Sequence, residues 1–287
     1  MIDFSIYPIT NTYYGGTEKK FGIKIDDIEY MIKFQKQTNF GTKRFNHISE
    51  YIGSHIFEML GFTAQETYLG LYNGEQVVAC KNFITEGCQF VPFNDVGESS
   101  LEQDKDTYQY SYQDIMKMLC DNVKLTNVKE TIDMFWNIYI VDALLGNFDR
   151  HGGNWGFLKK NNCYSLAPVF DNGSCLFPQL TDEDMMKKIL DSEELTNDRI
   201  YRFPTSQVLL DGKKSSYYEV IVSLTFKECN DALIRICKRY SQRKIDDLID
   251  SIQILTDVHK QFYKYIIRQR YEKILYFAYK KLMRNKK

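Results

Sequence analysis

Alternation of apolar and polar residues marks the first third of the chain as β-rich. A period of two is typical of strands that bury one face. It predicts strands over residues 21–25, 28–34, 67–72 and 75–83. Asp26-Asp27 separates the first two strands, and Asn73-Gly74 separates the last two. Since Asn-Gly between apolar runs is a strong hairpin signal, we expect residues 67–83 to form a β-hairpin.

Most of the remaining chain has apolar residues spaced three and four apart, which predicts helices. One helix lies between the strand pairs, over residues 48–60, and Gly61 is a plausible stop. The others cover residues 112–123, 128–145, 181–195, 228–240 and 256–283. Residues 86–110 are polar and mixed, so we expect a loop there. The only β interruption of the helical part is predicted at residues 155–158 and 163–170. Together these patterns predict an α+β fold of two lobes: a small β-rich N-lobe at residues 1–83 and a larger helical C-lobe at residues 84–287.

Composition excludes several classes of protein. The 287 residues carry a formal net charge of −1, which gives no global case for nucleic acid or an anionic membrane. The seven cysteines form no C-x-x-C pair and the four histidines are dispersed, so zinc and a disulfide framework are not expected. No apolar run has transmembrane length and no signal peptide is recognisable. We therefore expect a cytoplasmic protein, and leaderless export to a host or neighbouring cell stays open.

Three polar residues around the interrupting strands suggest chemistry. Asn154 precedes the first strand and Asp171 follows the second, so a hairpin would bring both to one open end. An amide and a carboxylate oxygen there suit Mg²⁺. Asp149, five residues before Asn154, could orient a hydroxyl for phosphoryl transfer. Either segment alone reads as an ordinary turn, but their joint spacing favours function.

The β-rich part offers groups for a phosphate-bearing ligand. Gly15-Gly16 could present backbone N–H groups, and Lys33 on the second strand could reach phosphates. Glu50, in the first turn of the predicted helix, could pair with Lys33. Each has an ordinary alternative: a turn, a solvent-facing strand lysine, and an acidic residue at a helix N-terminus. The order of parts along the chain is that of a protein-kinase-like fold, although His-Arg-Asp, Asp-Phe-Gly and Ala-Pro-Glu are missing.

The wording of these segments resembles the HipA-like family of bacterial serine/threonine kinases, in its short stand-alone form. The similarity is carried by residues 147–154, with Asn147, Asp149, His151 and Asn154, and by Phe170-Asp171. Residues 15–19, 45–51 and 77–83 are similar to that family's glycine loop, its Asn-Glu helix and its hinge strand. Thr17 stands where the family's loop has Gln.

The resemblance implies an ATP- and Mg²⁺-dependent kinase of protein serine or threonine, with the whole chain as one HipA-like kinase domain. Asp149 would be the catalytic residue, Asn154 and Asp171 would hold Mg²⁺, and Lys33 would bind the phosphates. Backbone groups near Lys81 and Asn82 would hold adenine. Some members phosphorylate a residue three positions before the loop glycine, which is Thr12 here and serine in most of the family.

The resemblance also implies a protein substrate and leaves a small antitoxin-type partner open, with no direct contact to nucleic acid or membrane. Two other functions remain as alternatives. One is a kinase of lipids or small molecules, because the same core serves those substrates. The other is a nucleotide-binding pseudokinase that acts as an interaction module.

Overall fold

The computed structural model describes residues 1–15, 19–37, 41–97, 110–121 and 127–285. Their contacts define two compact units. The first comprises Met1–Thr85 and Pro168–Asp182, and the second comprises Glu86–Ala167 and Glu183–Lys287. The first unit is built on a β-sheet and the second is mainly helical, so the predicted α+β class is confirmed. The segment Pro168–Asp182, which carries Asp171, makes its contacts within the first unit.

The first unit contains a five-stranded sheet and one long helix. Its elements are β1 (Ile2–Asp3), a 3₁₀ turn (Phe4–Ile6), β2 (Lys20–Ile25), β3 (Ile28–Phe34), α1 (Asn46–Met59), β4 (Thr67–Tyr72) and β5 (Glu75–Lys81). The strand order is β1-β4-β5-β3-β2, and every pair is antiparallel except β1 with β4. The four predicted strands and the helix are confirmed, although β5 ends two residues earlier than expected.

The two faces of strand β3 have different roles: one contributes to the apolar core of this unit, and the other carries charged side chains. Tyr30, Ile32 and Phe34 are buried in one apolar cluster with residues of the neighbouring strands. Since successive side chains point to opposite faces, Glu29 and Lys33 share the other face. Lys33 is nevertheless only 7% exposed. A buried lysine needs a charged or hydrogen-bonding partner, so this face of the sheet is where a functional site is expected.

His47, in the first turn of α1, gives the first unit a sensitivity to acid. The side chain is fully buried, and its Nε2 lies 3.2 Å from Gln76 Oε1. Burial lowers the pKa of His47 from 6.5 to about 4. The unfolded chain therefore takes up a proton at a pH where the folded chain does not. The stability that depends on neutral His47 is complete above pH 6.5 and is lost as the pH falls toward 4.

His47→Gln is therefore expected to make the protein less sensitive to acid. Between pH 7.5 and pH 5 the wild type should lose about 2 kcal/mol more unfolding free energy than the variant, from linkage through this one group. Urea unfolding at the two pH values measures the difference. His55→Gln, on the same helix, is the control and should keep the wild-type loss. Equal losses in wild type and His47→Gln would contradict the prediction.

The second unit is mostly helical. It begins with β6 (Gln89–Pro92), α2 (Phe93–Gly97), β7 (Tyr110–Ser111), α3 (Tyr112–Asp121), α4 (Val128–Leu145), β8 (Gly156–Lys160) and β9 (Cys163–Leu166). It continues with α5 (Glu183–Asp191), α6 (Glu193–Asn197), a π-turn (Asp198–Arg202), β10 (Thr205–Leu210), β11 (Lys213–Ser216), α7 (Tyr217–Ser223), α8 (Lys227–Arg239), α9 (Gln242–Ser251), α10 (Asp257–Arg270), a π-turn (Tyr271–Tyr276) and α11 (Phe277–Asn285). Two small sheets have the orders β6-β8-β9 and β11-β10-β7.

Several predictions for this unit were wrong. Part of the expected loop at residues 86–110 is strand β6, which pairs antiparallel with β8. The helix predicted over residues 181–195 is broken by Ser192, whose hydroxyl caps α6 by accepting the Leu195 N–H. Hairpin β10–β11 is a further β interruption. The helical prediction at residues 256–283 is confirmed, with a π-turn between α10 and α11. Within the described ranges, no helix combines the length and apolar character needed to cross a bilayer.

Candidate active site

The predicted hairpin after Asn154 is confirmed in the second unit. Strands β8 and β9 pair antiparallel, with Phe157 opposite Leu166, and the Ala167 N–H donates to the Gly156 carbonyl. Asn154 therefore immediately precedes the hairpin's open end. Asp171 lies four residues beyond Ala167 and belongs to the first unit. That Asn154 and Asp171 hold the same ion stays a prediction.

Helix α4 delivers the chain to the segment that contains Asp149. Asn127 caps the N-terminus of the helix, because its side chain accepts the Glu130 N–H, and Gly146 caps the C-terminus with a left-handed φ of 65°. A glycine in that conformation is a common helix stop. Residues 147–154, defined here as the Asp149 loop, therefore leave the helix with a sharp change of direction.

A buried ion pair holds the Asp149 loop to α4. Arg150 donates from Nε to Asp142 Oδ2 at 2.9 Å and from Nη2 to Asp142 Oδ1 at 3.2 Å. The two side chains are 6% and 1% exposed. Arg150 Nη1 also donates to the Asn154 carbonyl at 2.9 Å, and Asn147 Nδ2 donates to Asp142 Oδ1. A bidentate guanidinium–carboxylate pair fixes orientation as well as distance, so the loop has one defined geometry.

Two asparagines position Asp149 within this loop. The Asp149 N–H donates to Asn147 Oδ1 at 3.1 Å, and Asn154 Nδ2 donates to the Asp149 carbonyl at 2.8 Å. Asp149 itself is exposed, whereas Asn154 is 8% exposed. Because the Asn154 amide uses its nitrogen inside the loop, its Oδ1 is the atom left for a cation. The structure thus brings Asp149 and Asn154 together, as the spacing suggested.

Lys33 occupies a buried site in the first unit. Its Nζ lies 3.0 Å from Glu50 Oε2 and 3.2 Å from Asp171 Oδ1. Burial alone would lower the pKa of Lys33, but attraction to Asp171 and Glu50 outweighs it and raises the pKa well above its usual range. Lys33 therefore stays positively charged at every physiological pH. The predicted pairing of Lys33 with Glu50 is present, and Asp171 joins it.

Asn172 completes this site and was missed by sequence reasoning. Its N–H donates to Glu50 Oε1 at 2.9 Å, and its Nδ2 donates to Ser54 Oγ at 3.1 Å. A Cβ on Gly53 would stand 2.5 Å from the Asn172 Cβ, so only glycine lets this segment approach α1. With one oxygen on Lys33 and the other on Asn172, the Glu50 carboxylate is held at both ends.

Asn46 fixes the start of α1, a role that the sequence did not predict although residues 45–51 resemble the family's Asn-Glu helix. Its Nδ2 donates to the Phe34 carbonyl at 3.0 Å, and its Oδ1 accepts the Lys36 N–H at 2.8 Å. The amide therefore ties the helix to the chain that leaves β3. Since Glu50 lies one turn further along α1, this tie sets its distance to Lys33.

The other predicted residues have mixed outcomes. Gly15 is exposed, and a Cβ there would meet no atom within 4 Å, while Gly16 lies outside the described residues. The Lys81 and Asn82 N–H groups donate to the carbonyls of Glu66 and Glu29. An adenine at this strand end would therefore not receive those two N–H groups. That Lys81 and Asn82 bind adenine stays a prediction.

Asp142 and Arg150 are functional candidates that the sequence could have revealed in part. Asp142 interrupts a run of apolar residues in the last two turns of α4. A charge in a segment that reads as buried requires a partner. Arg150 carries no such signal, because an arginine beside Asp149 reads as a solvated loop residue. Among the described residues, no group of three or more His, Cys, Asp or Glu forms a metal cluster.

The chain is similar to characterised proteins over nearly its whole length. It is 36% identical to the serine/threonine-protein kinase CtkA of Helicobacter pylori over 97% of this chain and 87% of that protein. A crystal structure of that proinflammatory kinase superposes with a TM-score of 0.91, with 35% identity over 99% of this chain and 98% of the other.

A more distant likeness concerns the fold alone. Shewanella oneidensis HipA, solved with HipB and operator DNA, matches with a TM-score of 0.60 and 16% identity, over 95% of this chain and 65% of that one. The profile of the HipA-like C-terminal domain matches residues 12–252. With that match and the identity to CtkA, the chain belongs to the HipA-like C-terminal domain family.

Proposed function

We propose that this chain is a serine/threonine protein kinase that uses ATP and Mg²⁺. The observation that carries the proposal is the buried Lys33, held within 3.2 Å of both Glu50 and Asp171. Kinase-like sites use a lysine fixed by a glutamate to bind phosphates, with a nearby aspartate for the metal. The relative CtkA is named a serine/threonine-protein kinase, which supports the same activity here.

The donor chemistry of the chain fits Mg²⁺. The Asp171 side chain is 38% exposed, so a hydrated cation can reach it, and Asn154 keeps an amide oxygen. Oxygen donors of this kind are those that Mg²⁺ prefers. When bound, the ion neutralises charge on the phosphates. Asn154 and Asp171 would hold it, and Lys33 would bind phosphate oxygens from the protein side.

The reaction would depend mainly on positioning. Asp149 would orient the acceptor hydroxyl and accept its proton, while Asn147 and Asn154 keep the Asp149 backbone in place. Lys33 would stabilise charge on the transferred phosphoryl group. Gly15 and Gly16 would cover the phosphates. Adenine would lie against the chain at Lys81 and Asn82 without using their N–H groups, which donate to the Glu66 and Glu29 carbonyls. Residues 1–83 and 84–287 would together form one HipA-like kinase domain.

Thr12 is proposed as a site of autophosphorylation. It is exposed, it lies three residues before Gly15, and its hydroxyl hydrogen-bonds to the Glu29 carboxylate. The protein substrate, a small antitoxin-type partner and a cytoplasmic location remain expectations from the sequence. Peptide mapping of the protein after incubation with ATP and Mg²⁺ identifies any residue that it phosphorylates in itself.

Transfer of label from γ-labelled ATP tests the function. Wild type should label protein in a cell extract, whereas lipids and small metabolites should stay unlabelled. Asp149→Ala and Asp171→Ala should lose transfer by at least about 10²-fold, as expected for a proton acceptor and a metal ligand. If the wild type labels lipids or metabolites and no protein, the chain is a lipid or small-molecule kinase instead. Tight ATP binding without any transfer would indicate a pseudokinase.

Asp211→Ala is a matched control for Asp171→Ala. Both residues have a left-handed backbone, with φ values of 50° and 57°, so alanine causes similar strain at each. Asp211 lies in the β10–β11 turn, outside the proposed site. Asp211→Ala should transfer label like the wild type. Equal transfer by wild type, Asp149→Ala and Asp171→Ala would contradict the proposed function.

A further inference from the structure

Glu29 connects two segments of the first unit that are far apart in sequence. Its Oε1 accepts the Thr10 hydroxyl at 2.5 Å, and its Oε2 accepts the Asn82 Nδ2 at 3.0 Å. Thr10 belongs to the segment that leads to Gly15, and Asn82 directly follows β5. Glu29 also shares its face of β3 with Lys33, four residues along the strand. The carboxylate therefore bridges the segments that we propose bind phosphates and adenine.

Backbone contacts hold both ends of this bridge. The Thr10 N–H donates to the Gly22 carbonyl at 2.9 Å, and the Asn82 N–H donates to the Glu29 carbonyl at 2.8 Å. Asn82 Oδ1 in turn accepts the Ile84 N–H at 2.9 Å. The two segments are thus aligned by backbone pairing with β2 and β3, and Glu29 adds the side-chain connection between them.

Gly22 makes the bridge sterically feasible. A Cβ on Gly22 would stand 2.1 Å from Thr10 Oγ1 and 2.8 Å from Glu29 Oε1. Any other residue would push these two atoms apart, whereas glycine leaves the space they occupy. The sheet therefore has a gap where the Thr10 hydroxyl and the Glu29 carboxylate meet.

The bridge carries a negative charge at neutral pH. Burial raises the pKa of Glu29, but hydrogen bonds from Thr10, Thr12 and Asn82 outweigh burial and lower it. Burial and the negative charge of Glu29 raise the pKa of Tyr14 well above its usual range. Hydrogen bonds to an ionised acceptor are stronger than neutral ones, so each arm of the bridge is worth more than a surface contact.

We propose that Glu29 is a positioning residue for nucleotide binding, which fixes the segment before Gly15 relative to the end of β5 at Asn82. The inference rests on the proposed function, because it takes these segments as the phosphate and adenine sites. Without the carboxylate, the segment before Gly15 loses its side-chain link to Asn82. ATP, which contacts both segments, must then order it on binding, whereas adenosine, which lacks phosphates, need not.

Dissociation constants for Mg²⁺-ATP and for adenosine test the proposal in Glu29→Met, Thr10→Val and the double variant. Glu29→Met keeps the side-chain length without an acceptor. Each single variant should raise the constant for ATP about tenfold, the effect of losing one charged hydrogen bond. The double variant should be no weaker than Glu29→Met, because both changes remove the same contact. The constant for adenosine in Thr10→Val should stay within about twofold of wild type, since no phosphate is involved.

Asp27→Asn, in the turn of the same hairpin, is the control and should bind ATP like the wild type. Thermal unfolding verifies that each variant is folded. If Glu29→Met is unfolded, Glu29→Gln replaces it and should give an intermediate loss, because its amide keeps one acceptor. Wild-type ATP binding by the Glu29 variants, or single effects that multiply in the double variant, would overturn the proposal. A wild type that binds no ATP would overturn the proposed function as well. If the wild type binds ATP and the Glu29 variants bind it equally well, only the role of Glu29 is overturned.

Discussion

Lys33→Met is expected to abolish label transfer and to lower the free energy of unfolding by about 3–5 kcal/mol, the cost of leaving a buried charge without its partner. Glu50 is that charge, because its side chain is 2% exposed and, among the described residues, it then keeps the neutral Asn172 N–H as its hydrogen-bond donor. Asp171 is 38% exposed and can be solvated after the loss of Lys33. Transfer should fail because the lysine proposed to bind the phosphates is then absent. Urea unfolding and the labelling assay measure the two effects.

A second substitution separates stability from activity at this site. Glu50→Gln in the Lys33→Met background removes the buried charge and still offers an acceptor to the Asn172 N–H. The double variant should regain at least about half of the lost stability, since the uncompensated charge is its main cause. It should not regain transfer, because the lysine proposed to bind the phosphates is still absent. Recovery of transfer would show that Lys33 acts only by compensating the buried charge of Glu50.

Lys24→Met is the control for this experiment. Lys24 lies on β2 and pairs with Asp27 at 2.8 Å, but its side chain is 50% exposed. Exposed ion pairs contribute little to stability, so this variant should be nearly as stable as the wild type. It should also transfer label normally. The comparison isolates burial, because both lysines lie on strands and both pair with a carboxylate.

Arg270→Lys is expected to lower the free energy of unfolding by about 3 kcal/mol, through loss of several buried hydrogen bonds. Arg270 is completely buried at the end of α10. Its guanidinium donates to the Ala143 and Arg199 carbonyls at 2.6 Å each and to the Phe203 carbonyl at 3.4 Å. A lysine has one nitrogen and cannot reproduce this fork. For a chain of this size the melting temperature should fall by roughly 6–12 °C.

The same substitution should reduce transfer at temperatures where the variant is folded. Ala143 lies in the last turn of α4, and the guanidinium packs 3.5–3.6 Å from where a Gly146 side chain would begin. Arg270 therefore fixes the helix end from which the Asp149 loop starts, and its positive charge suits the negative end of the helix dipole. Arg268, two residues earlier, is half exposed. The control Arg268→Lys should therefore keep the stability and the transfer of the wild type. An Arg270→Lys variant as stable as the wild type would contradict the role of Arg270 in fixing the end of α4.

Local pattern was sufficient for the helix of the first unit and for four of the five strands of its sheet, but not for the two-residue strand β1. Those four strands alternate cleanly, and the separating turns contain Asp26, Asp27, Asn73 and Gly74, all with positive φ. Hairpin β10–β11 carries a comparable signal at Asp211-Gly212, with φ values of 50° and 71°. Its flanking residues alternate less clearly, so the pattern does not predict these strands. Strand β6 could not be predicted in this way, because it is short, ends in Pro92, and exists through its pairing with β8.

The site was predictable where function depends on spacing and unpredictable where it depends on tertiary contacts. Lys33, Glu50, Asp149 and Asn154 follow from their order along the chain and their neighbours. Glu29 and Arg150 read from sequence as solvated residues of a strand and a loop. Their roles depend on partners that are 19 and 8 residues away, namely Thr10 and Asp142. A local pattern does not report such pairings.

The burial of the Asp142–Arg150 pair has a consequence for the response to ionic strength. Mobile ions screen exposed charges over about 8–10 Å at physiological salt, but they act far less on pairs excluded from solvent. Asp142, Arg150, Lys33 and Glu50 all have side chains less than 10% exposed. Added salt should therefore leave the Asp149 loop and the Lys33 site intact. A fall in the rate of label transfer at high salt would then report on the encounter between the protein and a charged substrate.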